Sequence, residues 1–101
     1  MKISLVTPAG KRSRAGNRTT AVRWARILAA LGHKVEMAEA DGGDRADLMI
    51  AIHAWRSRAS IRAFSDRFPA RPLIVLLAGT DIYRFLKSDA DDTLDAMDRA
   101  D

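Results

Sequence analysis

The sequence predicts an α/β fold, a Rossmann-like parallel sheet with helices on both faces. Three observations carry this. Apolar and amphipathic segments follow one another as strand, helix, strand, strand, helix, strand. Leu48–Ile52 and Leu73–Leu77 are continuously apolar, as suits strands covered on both faces of a parallel sheet. A loop rich in glycine and arginine joins the first strand to the first helix. Parallel neighbours need crossover connections, and right-handed crossovers give a doubly wound sheet.

The elements follow in order. Lys2–Thr7 is a short strand stopped by Pro8, and residues 9–18 form the loop. Thr19–Leu31 is a helix with Val22, Ala25, Leu28 and Ala29 on one apolar face. Trp24, Ile27 and Leu31 form a second stripe beside it, so cover on more than one side is expected. Gly32 is the helix stop, followed by His33 and Lys34 at the negative end of the dipole. Val35 to Ala38 or Glu39 is the second strand, Asp41–Asp44 a turn, and Leu48–Ile52 the third strand. Residues 40–47 have room for a helical turn at most. Ser57–Phe68 is the second helix, with Ile61, Phe64 and Phe68 on one stripe. Pro69 and Pro72 bracket the turn into the fourth strand, Leu73–Leu77. Tyr83–Leu86 reads as a short turn and Asp92–Ala100 as a last, weakly apolar helix.

Composition bounds the function. The 101 residues suffice for one modest domain. No apolar run approaches the roughly 20 residues that span a bilayer. The opening strand lacks the longer apolar core of a signal peptide. The chain has no cysteine, hence no disulfide, thiol nucleophile or cysteine-based zinc site. A cytoplasmic location and no membrane partner are expected. Net charge is +4, but its distribution says more: residues 1–34 hold eight Lys/Arg and no acid, whereas residues 88–101 hold six Asp and one Arg. A basic head favours an anionic ligand near it, against the alternative of a solvated basic surface.

Position sharpens that preference. Ligands of open α/β sheets bind beyond the carboxyl ends of the strands, where the loop and the N-terminus of the first helix meet. Free N–H groups and about half a positive charge sit at such a terminus. Arg14 and Arg18 add cations there, a cost that a phosphate-like anion would turn into a gain. Gly16 allows close backbone approach. The usual nucleotide cradles do not fit: Gly10 and Gly16 enclose five residues and Asn17-Arg18 follows, so the Walker pattern is missed, and G-x-G-x-x-G is absent. No acids follow the first strand to form a phosphoacceptor pocket.

Other candidates share this edge. His53 ends the third strand, either as a hydrogen-bonded sheet-edge residue or as a ligand donor or proton shuttle. Arg56, three residues on, either shares an anion or is solvated. Thr80 and Asp81 end the fourth strand, as turn caps or as ligand-orienting groups. Trp55 could stack on a ligand, whereas Trp24 at helical spacing reads as core. His33 lies at the opposite edge and is excluded. Two isolated histidines make no metal site. Asp89, Asp91 and Asp92 lack the glycine and glutamate of a calcium loop. No cofactor and no metal are expected. Nucleic acid is disfavoured as a partner, with aromatics at 6% and no recognised binding motif.

The strand–loop–helix unit ending in "ILAALGHKVEMAE" resembles the opening of GT-B glycosyltransferases. The longer runs "GNRTTAVRWARILAALGHKV", "ADLMIAIHAWRSRASIRAF" and "RPLIVLLAGTDIYRFL" resemble the family-4-type selenosugar synthases of selenoneine biosynthesis, over nearly all of the chain. The resemblance implies transfer of a sugar from a UDP-sugar to selenophosphate, giving a selenosugar. The matched positions are Gly16, Asn17, Arg18, Arg23, His53, Arg56, Thr80, Asp81 and Tyr83. It implies that Arg14, Gly16, Asn17 and Arg18 hold the acceptor or the sugar-nucleotide phosphates. Arg56, Thr80 and Tyr83 would join in substrate binding, with His53 and Asp81 in positioning or acid–base roles. Residues 1–101 would be a truncated N-terminal, acceptor-side domain, inactive alone, with the second GT-B domain absent. The open edge of the fourth strand would invite self-association. The alternative is a non-catalytic anion- or nucleotide-binding Rossmann-like module.

Overall fold

A computed structural model describes residues 1–8, 16–40, 42–43, 45–77 and 84–101, with Gly16 and Asn17 described by their backbone alone. Four strands, β1 (Lys2–Val6), β2 (Lys34–Ala38), β3 (Leu48–Ile52) and β4 (Leu73–Leu76), form one parallel sheet in the order β2-β1-β3-β4. The helices are α1 (Gly16–Ala30), α2 (Arg58–Arg67), the single turn α3 (Leu86–Ser88) and α4 (Ala90–Asp98). This is the expected Rossmann-like α/β arrangement.

Alternation along the strands decides which helix covers which face. In β1, Ile3 and Leu5 point to the α1 side, joined by Val35 and Met37 of β2 and Ile50 and Ile52 of β3. Ala21, Trp24, Ala25 and Leu28 of α1 close over them. On the opposite face β1 and β2 present Lys2, Ser4 and Glu36, with Lys2 and Glu36 paired at 3.6 Å. Helix cover would strand these polar groups away from water. The second core lies on that face one strand further on, where Val6, Met49, Ala51 and Leu73 meet Ile61 and Phe64 of α2 and Ala96 of α4. Ala46 belongs to this core too, so the connection between β2 and β3 runs on the α2 side. Each fully buried aliphatic side chain here contributes about 1.5–3 kcal/mol.

Five expectations need correction. The helix α1 begins at Gly16, three residues before Thr19, so Gly16, Asn17 and Arg18 form its first turn and the loop is shorter. Its second apolar stripe is not covered: Ile27 is 53% and Leu31 69% exposed, and only Trp24 of that stripe packs on the sheet. Ala29 is exposed as well. β4 is not buried on both faces. It is the sheet's edge, and Ile74 is 44% exposed. The last helix starts at Ala90, two residues before Asp92. Gly32 ends α1 with φ +94°, the left-handed stop that glycine adopts without steric cost.

α4 is fastened to α2 by Arg99. Its guanidinium donates to Ser65 Oγ at 2.7 Å, Asp66 Oδ1 at 2.8 Å and Asp95 Oδ2 at 3.0 Å. The hydrogen bond to Asp66 leads in raising its pKa further above the usual arginine value.

Candidate functional site at the switch between β1 and β3

The strand order reverses between β1 and β3. β1 leads through α1 to β2 on one side, and β3 leads through α2 to β4 on the other. The carboxyl ends of the strands at such a switch point are the usual ligand position in doubly wound sheets. Val6 is level with Ala51 in the ladder, so Thr7 falls beside Ile52 and His53 lies one residue beyond.

Thr7 continues β1 by one rung, donating its N–H to Ala38 O at 2.9 Å. Its side chain is fully buried, yet Oγ1 has no hydrogen-bond partner among the described residues. A buried hydroxyl without a partner costs about 1–3 kcal/mol. The same end of the sheet receives the N-terminus of α1, whose first-turn N–H groups, from Gly16 onward, have no partner within the helix. α1 has no acid in its first turn and carries Arg18 there instead.

His53 is also fully buried, and its backbone takes φ +73°. That conformation is uncommon for a residue with a side chain and collects at functional sites. It lets the chain fold back sharply: Ser57 N–H donates to His53 O at 3.0 Å, and Ser57 Oγ donates to Ile52 O at 2.6 Å. The Ser57 hydroxyl is therefore turned toward the strand and does not cap α2. Arg56 N–H donates to His53 Nδ1 at 3.0 Å. An accepting Nδ1 carries no proton, which leaves the neutral imidazole with its N–H at Nε2. The ring meets Phe85 edge-on at 5.5 Å.

Phe85 is the centre of a cationic and aromatic column. Trp55 stacks on it at 4.0 Å and 4°, and Arg58 lies 4.0 Å from the Trp55 ring. With Phe85 on one face and Arg58 on the other, Trp55 offers no free face to a ligand, contrary to the stacking option read from sequence. Its Nε1 is buried and has no hydrogen-bond partner among the described residues. Arg56 and Arg84 lie 5.8 and 5.0 Å from the Phe85 ring. Arg58 is paired with Asp92 at 3.7 Å, but neither Arg56 nor Arg84 has an acid partner among the described residues.

Of the residues singled out from sequence, the structure brings His53 and Arg56 into direct contact and puts Gly16, Asn17 and Arg18 in the helix turn at the same end of the sheet. Arg18 lines a shallow groove along the outer side of α1 with Thr19, Val22, Arg23, Arg26 and Ile27. Arg14, Thr80, Asp81 and Tyr83 lie outside the described residues. Thr7, Phe85 and Arg84 were not anticipated. For Thr7 a signal existed: a hydroxyl at the last strand position before Pro8, at the ligand-binding end of the sheet. Among the described residues, no group of three or more His, Asp or Glu could hold a metal ion.

The fold defines the class: a doubly wound, Rossmann-like α/β protein, with His53, Arg56 and the N-terminus of α1 at the carboxyl end of its sheet. No protein-family model and no curated protein matches the chain. No helix among the described residues is long and apolar enough to cross a membrane.

Proposed function

We propose that this chain is the acceptor-side domain of a cytoplasmic GT-B-like glycosyltransferase that passes a sugar from a UDP-sugar to a small, multiply charged acceptor such as selenophosphate. The single observation that carries the reading is the buried, unpartnered Thr7 hydroxyl at the β1/β3 switch, beside strained His53 and the N-terminus of α1. The likeness of the sequence runs to selenosugar synthases supports the choice of acceptor.

In this reading the acceptor's selenium attacks the anomeric carbon, a carbon–selenium bond forms, and the bond to the diphosphate oxygen breaks, with UDP leaving as the anion. Arg14, the first-turn amides of Gly16 and Asn17, and Arg18 hold the charged acceptor or the donor phosphates. Arg56, Thr80 and Tyr83 complete the substrate contacts. His53, with Asp81, positions the reacting groups. Preorganised donors of this kind stabilise developing negative charge without reorganising.

Calorimetric titration with inorganic phosphate, and separately with UDP, tests the reading. One saturable phosphate site is expected, weakened at least tenfold in the double variant Arg14→Ala, Arg18→Ala, with much weaker UDP binding because the second domain of such enzymes holds the donor. Tight UDP binding without a phosphate site would replace this reading by a nucleotide-binding module. Association with nucleic acid that collapses steeply with salt would also overturn it.

A further inference from the structure

Charge is segregated along this chain, and the fold puts the two kinds on opposite faces of the sheet. Residues 1–34 hold eight Lys/Arg and no acid, and residues 88–101 hold six Asp and one Arg. The helix from the first set, α1, packs Ala21, Trp24, Ala25 and Leu28 on the face of Ile3, Leu5 and Ile50. The helix from the second, α4, packs Ala96 on the other face, with Val6, Met49 and Leu73. The sheet stands between them, so their outer surfaces cannot neutralise one another within one molecule.

Each outer surface has an apolar centre with unpaired charge beside it. On α1 the exposed Ile27 and Leu31 lie beside Arg23 and Arg26, which line the same groove as Ile27. Both arginines are exposed, and neither has an ion-pair partner among the described residues. On α4, Leu94 is 46% exposed. Asp91 lies three residues before it and Asp98 four after, on one stripe of the helix. Asp92 is held by Arg58, and Asp95 by Arg62 and Arg99. Asp91 and Asp98 have no ion-pair partner among the described residues.

We propose that the outer face of α1 is a docking surface for α4 of a second copy of this chain. Leu94 packs against Ile27 and Leu31, and Arg23 and Arg26 take the carboxylates of Asp91 and Asp98. Those carboxylates are two turns apart, about 10 Å along the axis, a span that two arginines one turn apart reach with their long side chains. Exposed ion pairs contribute little singly. Here they select which faces meet, and the apolar contact adds to them. Like helices repel: α1 carries arginines and no acid, and the free charges on the α4 stripe are both carboxylates. The contact is therefore heterologous. A dimer keeps one free α1 and one free α4, and further copies add in the same sense. This inference is independent of the proposed sugar transfer.

Sedimentation velocity of the 101-residue chain tests it. Association is expected to grow with concentration past the dimer. It should weaken at least tenfold in about 1 M salt, where charges are screened within about 3 Å. Arg23→Gln with Arg26→Gln neutralises one face, and Asp91→Asn with Asp98→Asn the other. All four side chains are exposed, so both double variants should keep the fold. Each alone should associate at least tenfold more weakly than the unaltered chain. Mixed in equal amounts, they offer one intact α1 and one intact α4, and should form a 1:1 dimer that grows no further. A chain that stays monomeric up to about 1 mM overturns the proposal. So does association that both double variants retain, which would assign it to the β4 edge, or a mixture that stays monomeric.

Discussion

The two ends of the sheet are built on opposite rules. At the amino end, polar groups find partners within the chain. Lys2 N–H donates to Asp47 Oδ2 at 2.8 Å, and Asp47 N–H donates to Lys2 O at 2.8 Å. Lys34 N–H donates to Met1 O at 3.0 Å, and the terminal amino group lies 3.1 Å from His33 Nδ1. Arg71 Nη1 donates to Ala46 O at 2.6 Å, and Asp101 closes on Leu73. At the carboxyl end, Thr7 Oγ1 and Trp55 Nε1 are buried without partners, His53 holds φ +73°, and Arg56 and Arg84 have no acid partner among the described residues. Buried polar groups are normally satisfied, so local violations gathered at one end fit the proposal that stability is given up there for binding. In the proposed function the amino end is scaffold and the carboxyl end is site. Substitutions at the two ends should therefore separate stability from ligand affinity.

The largest effect is expected at His53, where both rules meet. His53→Ala removes a fully buried ring from Phe85, leaves the Arg56 N–H without its acceptor, and forces alanine into the left-handed region. Together these cost about 2–4 kcal/mol. The urea midpoint should fall accordingly, and phosphate affinity should fall with it. His53→Asn, which tolerates the left-handed backbone, should recover part of the stability and less of the affinity. A loss of stability well below this range would mean that the turn after β3 is not under the strain inferred for it.

Next comes Arg71 at the amino end. Arg71→Ala loses the bond to Ala46 O and the 4.3 Å contact of the guanidinium with the Phe68 ring. The expected cost is about 1–2 kcal/mol by urea denaturation. Phosphate affinity of the folded variant should be unchanged. A weakened phosphate site in this variant would break the division between scaffold end and binding end.

Much of this molecule was legible in residue order, and the misreadings have physical causes. Leu48–Ile52 read correctly because both of its faces are apolar and both are covered. Leu73–Leu77 looked the same, but edge position depends on strand order, which an apolar run does not encode; hence the exposed Ile74. Gly16 and Asn17 read as loop because glycine and asparagine are weak helix formers, yet the helix takes them into its first turn. Ile27 and Leu31 looked like a second buried stripe, but among the described residues no other element covers them. At the site, His53 could be placed from the end of an apolar strand. The importance of Thr7 could not be, since its burial follows from β3 pairing with β1 in place of β2, a fact of topology.

The smallest change in stability is expected at Thr7, and it is the sharpest probe of the comparison. Thr7→Val keeps the branched shape and β propensity and removes only the hydroxyl. In a satisfied site, losing that oxygen orphans its partner and costs stability. Here Oγ1 has no partner among the described residues to orphan, so the replacement should leave stability unchanged or raise it by up to about 1 kcal/mol. If the hydroxyl is held in reserve for an anion at the switch point, phosphate affinity should fall about three- to tenfold, the loss of one hydrogen bond of roughly 0.7–1.4 kcal/mol. Urea denaturation and phosphate titration of this one variant thus move in opposite directions. A variant that loses stability and keeps its affinity would place Thr7 with the scaffold and remove the observation on which the binding site rests.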